Sequence, residues 1–149
     1  MAHDRGGRAR HLARELLVKA LYQWQIAGHD VAEISSQFAA LADFERCDRD
    51  FFGQLLAVIV DAAPALDALI VRQATRSIET LDAVGRAVLL LGLAELKFRD
   101  DVPTKVVINE AVELAKRYGA TDSFKFVNAV LDKMSRELRP EGAASGGAA

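Results

Sequence analysis

The chain has 149 residues, 51% of them hydrophobic and 27% charged, with a net charge of −2. That size and balance fit a single globular domain with a sizeable core. The longest apolar run, allowing Gly, is Ala87 to Ala94, far short of the roughly 20 residues of a membrane-spanning helix, and no apolar secretory core follows the basic N-terminus. No membrane partner is expected. The single Cys47 has no cysteine to pair with in this chain, which fits a reducing cytoplasm. Charge is placed unevenly. Residues 1–27 carry five Lys/Arg against two acids, residues 28–71 two against eight, and residues 116–139 six against three. Two basic ends around an acidic middle suggest a local polyanion site better than the net charge does.

The periodicity is helical throughout, with Gly and Pro placed where helices end, so the expected fold is all-α with about seven helices in one domain over residues 10–139. Residues 1–9 read as a flexible basic arm and residues 140–149, rich in Gly, Ala and Ser, as a disordered tail. The first helix is expected from Arg8 to Ala27, ended by Gly28. Asp30 suits the cap of a second, Val31 to Ala42. Asp48 suits the cap of a third, to about Ala62, after which Pro64 starts or kinks a segment to Gln73. Thr80 precedes a helix from Leu81 to Phe98 that is apolar almost all round and therefore central. Within it Glu95 shares a face with Val84, Val88 and Leu91. A carboxylate there either transfers protons or ties down an arginine or a helix end, and no second acid or His nearby favours the first. Pro103 suits the first turn of the next helix, and Gly119 a left-handed position just past its end. Asp122 suits the cap of the last helix.

Catalytic chemistry finds no support. His3, His11 and His29 lack ligand-like spacing, no phosphate-cradling loop is present, and no nucleophile motif occurs, so neither enzyme activity nor a metal or other cofactor is expected. Binding finds more. In the run Arg5-Gly-Gly-Arg8-Ala-Arg10-His11-Leu-Ala-Arg14, arginines fork to phosphate oxygens. At about 100° per residue, Ala13, Leu16, Leu17, Ala20 and Trp24 form the buried stripe of the first helix. Tyr22 points away from it, on a ridge with His11, Arg14, Glu15 and Val18. Aromatics beside cations stack and neutralise single-stranded nucleic acid. Packing of Tyr22 on a neighbouring helix is the equal alternative. In the last helix, Phe124, Val127, Val130, Leu131, Met134 and Leu138 build the core stripe, and Phe126 lies well off it beside Asp122 and Lys133. Phe126 either fills a second interhelical seam or faces a ligand.

At these residues the chain resembles the NusB family of transcription antitermination factors. The resemblance spans about Arg10 to Arg139. It rests on Ala20-Leu-Tyr-Gln-Trp24, Arg86-Ala-Val-Leu-Leu-Leu-Gly-Leu-Ala-Glu-Leu96, Asp101-Val-Pro, Val107-Ile-Asn-Glu-Ala-Val-Glu-Leu-Ala-Lys116 and Lys125-Phe-Val-Asn-Ala-Val-Leu-Asp132. It implies two packed helical sub-bundles and no catalysis. It also implies binding of boxA single-stranded RNA together with NusE, a small-subunit ribosomal protein, within an RNA polymerase complex that includes NusA and NusG, chiefly in ribosomal RNA operons. The RNA-binding positions it implies are Arg10, His11 and Arg14, with Arg8 and Arg5 as further cations upstream, and Tyr22, Asp122 and Phe126; Lys133 joins them as the cation on the same flank of the last helix, and the NusE contact falls around Asp82, Gly85 and Arg86. The family's arginine cluster is denser than this one, and a relative carries an acid where this chain has Gly85. Two rival readings are a targeting domain of an RNA methyltransferase system and a purely structural helical adaptor.

Overall fold

A computed structural model describes residues 2–73 and 81–140, with side chains from Gly6 onward. Six α-helices and a 3₁₀ turn make up these residues: α1 (Ala2–Ala27), α2 (Val31–Ala39), the 3₁₀ turn (Ala42–Arg46), α3 (Arg49–Gln73), α4 (Ala83–Phe98), α5 (Thr104–Tyr118) and α6 (Ser123–Leu138). Helices α1 to α3 form one group and α4 to α6 a second. Helix α4 lies in the seam and touches α1, α3, α5 and α6. Its uniform apolarity explains that place, because Ala87 through Leu96 are all buried, Gly92 included. At Gly92 an added Cβ would meet Leu131 Cδ1 at 2.7 Å, so a larger residue there would push the buried Leu131 side chain of α6 aside.

Several boundaries depart from the sequence expectations. Helix α1 begins at Ala2 rather than Arg8, so its helical backbone includes the segment expected as an arm. Helix α2 stops at Ala39, and Ala42–Arg46 forms the 3₁₀ turn instead of extending it. One continuous α3 replaces two expected elements. The missing N–H and ring bulk of Pro64 normally break a helix, but Ile59, Ala63, Leu66 and Ile70 form one buried stripe across it, while Pro64 itself faces outward. On length and composition alone α3 could cross a membrane; here that apolar stripe is core. The expected cap Thr80 and the tail from Glu141 lie outside the described residues.

The caps divide in the same way. Gly28 adopts φ +70, and the Asp30 and Asp48 carboxylates accept from Glu33 N at 2.8 Å and Phe51 N at 3.0 Å, as their positions in the sequence suggest. Gly119 is extended rather than left-handed. Glycine is needed there for space, since an added Cβ would stand 2.6 Å from Ser123 Oγ and 2.7 Å from the Ala115 carbonyl oxygen. The left-handed residue is Asp122, at φ 65, and its side chain makes no capping hydrogen bond. The chain reverses at Asp122, three residues later than expected, and its carboxylate lies 3.6 Å from Lys125 Nζ instead of capping α6.

Arg139 closes the C-terminal end of α4. Its guanidinium donates to the carbonyls of Glu95 (2.9 Å), Leu96 (2.8 Å), Arg99 (2.6 Å) and Val102 (2.7 Å). The Glu95 and Arg99 carbonyls also accept the backbone N–H groups of Arg99 and Val102, so the guanidinium adds to a turn that is already bonded, and a cation suits the negative end of the helix dipole.

Candidate nucleic-acid interface

Helix α1 carries most of the candidate cations, and its surroundings sort them. Arg14 is 2% exposed. Its Nε and Nη2 donate to both Glu95 oxygens at 2.8–3.2 Å, a bidentate pair joining α1 to α4 across the core. Burial pushes the Glu95 carboxyl above its usual range, and Arg14 pulls it only part of the way back. Glu95 is thus the carboxylate that ties down an arginine. The placing of Arg14 and Val18 on an outward ridge is corrected: both are 2% exposed, because α4 and α5 cover that side of α1.

Arg10 is partly withdrawn as well. Its Nε lies 3.4 Å from Asp48 Oδ2, its Nη1 lies 3.0 Å from Asp101 Oδ2, and its guanidinium stands 4.8 Å from the centre of the buried Phe51 ring. Arg14 and Arg99 approach the same ring at 5.0 and 5.1 Å. The Arg99 and Arg10 guanidiniums hold the Asp101 carboxyl below the usual carboxylate range. His11 has both ring nitrogens against carboxylates, Nδ1 at 2.8 Å from Glu110 and Nε2 at 3.0 Å from Glu15. Arg8 is exposed.

What remains outward on α1 is a different ridge. Steps of three or four residues link Arg8, His11, Glu15, Lys19, Tyr22 and Ile26, all within about 80° of arc at roughly 100° per residue. Tyr22 is 44% exposed and Ile26 64%. Lys19 is absent from the residues implied by the resemblance, yet the same three-and-four stepping places it between Glu15 and Tyr22.

The last turn of α5 bridges α1 to the start of α6. The Tyr118 hydroxyl donates to Glu15, Lys19 Nζ lies 5.7 Å from the Tyr118 ring centre, and Lys116 Nζ lies 5.0 Å from that of Phe124. Burial and the Glu15 carboxylate push the Tyr118 hydroxyl above its usual pKa. On α6, Asp122 and Lys133 are exposed, whereas Phe126 is half-buried and packs against the core cluster, so part of its ring fills an interhelical seam.

The start of α4 is more closed than a partner contact suggests. The Asp82 carboxylate caps Gly85 N at 2.7 Å, and Gly85 is buried. An added Cβ at Gly85 would stand 2.7 Å from Asp82 Oδ1 and 2.9 Å from Leu81 Cδ1. The glycine therefore accommodates this cap. Arg86 pairs with Asp67 through Nε (2.9 Å) and Nη2 (2.6 Å), donates to Gln25 (3.2 Å) and lies 5.3 Å from the Trp24 ring centre, fastening α1, α3 and α4 together. Asp82 alone of the three is exposed.

Among the described residues no group of three His, Cys, Asp or Glu is placed to hold a metal ion. A helical bundle whose buried ionic groups are structural, and whose distinctive outer feature is one cationic and aromatic helix face, belongs to the class of helical binding factors. Comparison with known proteins makes that specific. The NusB family model matches residues 11–136. The chain is 50% identical over 131 residues to the transcription antitermination protein NusB of Alcanivorax borkumensis, covering 88% of this chain and 87% of the relative. It is 49% identical to that of Yersinia enterocolitica, over 88% of this chain and 95% of the relative. The solved structure of T. maritima NusB superposes with a TM-score of 0.80 at 33% identity, covering 91% of this chain and 96% of that one. The chain belongs to the NusB family, whose members are transcription antitermination factors and not enzymes.

Proposed function

We propose that this protein binds the boxA element of nascent single-stranded RNA together with the ribosomal protein NusE, and that the pair joins RNA polymerase with NusA and NusG to read through terminators, chiefly in ribosomal RNA operons in the cytoplasm. The observation that carries the reading is the outward ridge of α1, where Tyr22 stands exposed in line with Arg8 and Lys19 while the rest of the helix fills the core. Arg8 supplies an open phosphate contact, and Tyr22 a stacking surface. Arg10 and His11 contribute from the same end of α1 while held by their acids. Phe126 offers the edge left outside its seam, and Lys133 a nearby cation. Arg14 serves by fixing α1 against α4. Asp122, a carboxylate beside the α6 start, opposes RNA. NusE docks at the α4 start through Asp82, with Gly85 and Arg86 forming the frame beneath it.

Few open phosphate contacts make binding by this protein alone weak and salt-sensitive. Titration of a boxA oligonucleotide by fluorescence anisotropy, at two salt concentrations and with or without NusE, tests the reading. Tighter, boxA-selective binding with NusE is expected. Equal affinity with and without NusE refutes joint recognition, and no affinity at low salt refutes RNA binding and leaves the adaptor reading. The near-complete coverage of relatives named as antitermination proteins favours this reading over a methyltransferase targeting domain.

A further inference from the structure

The proposed RNA surface has a gap in its middle. Arg8 and Tyr22 lie fourteen residues apart on one face of α1, about 21 Å at roughly 1.5 Å per residue. A strand contacting both must cross the stretch between them. The last turn of α5 borders that stretch at Glu15 and Lys19.

That border has the chemistry of a nucleotide subsite. Tyr118 holds two cations over its ring, Lys19 at 5.7 Å and Arg117 at 5.4 Å from the centre. Both cations are exposed, and Lys19 has no acid partner among the described residues. Beside them opens a cavity of about 360 Å³ lined by His11, Glu113, Leu114, Lys116 and Arg117, wide enough for one unpaired base. Three acids also lie here, and one of them, Glu110, is already engaged by His11 (2.8 Å) and Arg14 (3.7 Å). Glu15 is largely covered, receiving His11, the Tyr118 hydroxyl and Arg117 (3.5 Å). Glu113 is exposed and 3.7 Å from Lys116, an arrangement that water screens and a phosphate can displace. The aromatic platform shared by two cations fits single-stranded RNA better than a double helix, whose bases are stacked away from side chains.

We propose that the α1/α5 cleft is a nucleotide subsite of the RNA track, with Lys19 and Arg117 contacting successive phosphates and the cavity beside Lys116 receiving a base, so that the strand runs continuously from Arg8 to Tyr22. The proposal rests on the RNA-binding reading above.

The test compares the full chain with the double variant Lys19→Gln/Arg117→Gln and with Lys105→Gln, an exposed cation on the first turn of α5. A labelled boxA RNA is titrated across a salt series, with NusE present, and folding is checked by circular dichroism. The double variant is expected to bind about 10-fold more weakly, with a log–log salt slope shallower by about 1.4, the loss of two single-strand phosphate contacts. Lys105→Gln should match the parent. Unchanged affinity of the double variant, or weaker binding with an unchanged slope, overturns the subsite and leaves the RNA-binding reading intact. Failure of the parent chain to bind overturns both. Photocross-linking of a 4-thiouridine RNA to the unaltered protein gives a second measurement independent of variant folding. Cross-links in the peptide carrying Arg117 and Tyr118 are expected, and their absence there while other peptides cross-link overturns the proposal.

Discussion

Two stretches of one helix face different fates. In the first half of α1, Arg10 and Arg14 are met by Asp48, Asp101 and Glu95 and become struts between helices. On the outward ridge, Arg8, Lys19 and Tyr22 meet no such acids among the described side chains. Cations occur in both sets; what differs is whether another element presents a carboxylate. A cation opposite a buried acid is committed to the fold, whereas one on an open face can lose its counterions to a phosphate.

The strongest way to break the contrast is Glu95→Ala, which leaves the buried Arg14 charge without its bidentate partner and with only Glu110, 3.7 Å from Nη1. A loss of about 3–5 kcal/mol in chemical denaturation is expected. The double replacement Arg14→Met/Glu95→Leu should recover most of it, because an apolar pair of similar volume avoids the desolvation cost. A double variant as unstable as Glu95→Ala alone would show that the pair does more than fill the space.

Tyr22→Ala probes the open side. RNA affinity should fall by about 1–3 kcal/mol, as for loss of a stacked base, while the unfolding midpoint shifts little, as at other exposed positions. A large stability loss would place Tyr22 among the struts instead.

The Asp101 carboxyl gives a pH-dependent version of the comparison. An acid held below its unfolded pKa by Arg99 and Arg10 stabilises the fold above about pH 4 and loses that contribution as pH falls through its lowered folded value. Asp101→Asn should therefore be less stable than the parent at neutral pH, and the gap should close under acid. Glu95 acts in the opposite sense, since a raised carboxyl weakens the fold as pH climbs past its unfolded value. Acid denaturation profiles of the two single variants separate these contributions.

The smallest effect expected is from Asp122→Asn. Asn tolerates the left-handed conformation at this position, and no capping bond is lost. The change should leave stability unaltered and tighten RNA binding slightly by removing a negative charge. Weaker binding with an intact fold would show that the carboxylate helps the RNA surface.

Much of this molecule was legible in its residue spacing. The helical class, the central place of the Leu81–Phe98 segment, the Asp30 and Asp48 caps and the outward direction of Tyr22 all follow from local rules that act over a few residues. The failures share a cause. The left-handed turn falls at Asp122 and not at Gly119, which stays extended where Ser123 packs close against the α5 end. Pro64 did not split α3 because a core stripe runs through it. Lys19, an isolated lysine in a helix, carries no signal in the sequence and gains one only from Tyr118 beside it.

Local spacing, then, was enough for the sequence to settle that this protein is a bundle of amphipathic helices with cations and aromatics left over from its core. Only the tertiary structure decided which of those cations are spent inside. The reason is that a guanidinium's fate depends on the acid opposite it, and for Arg14 that acid lies 81 residues further along the chain.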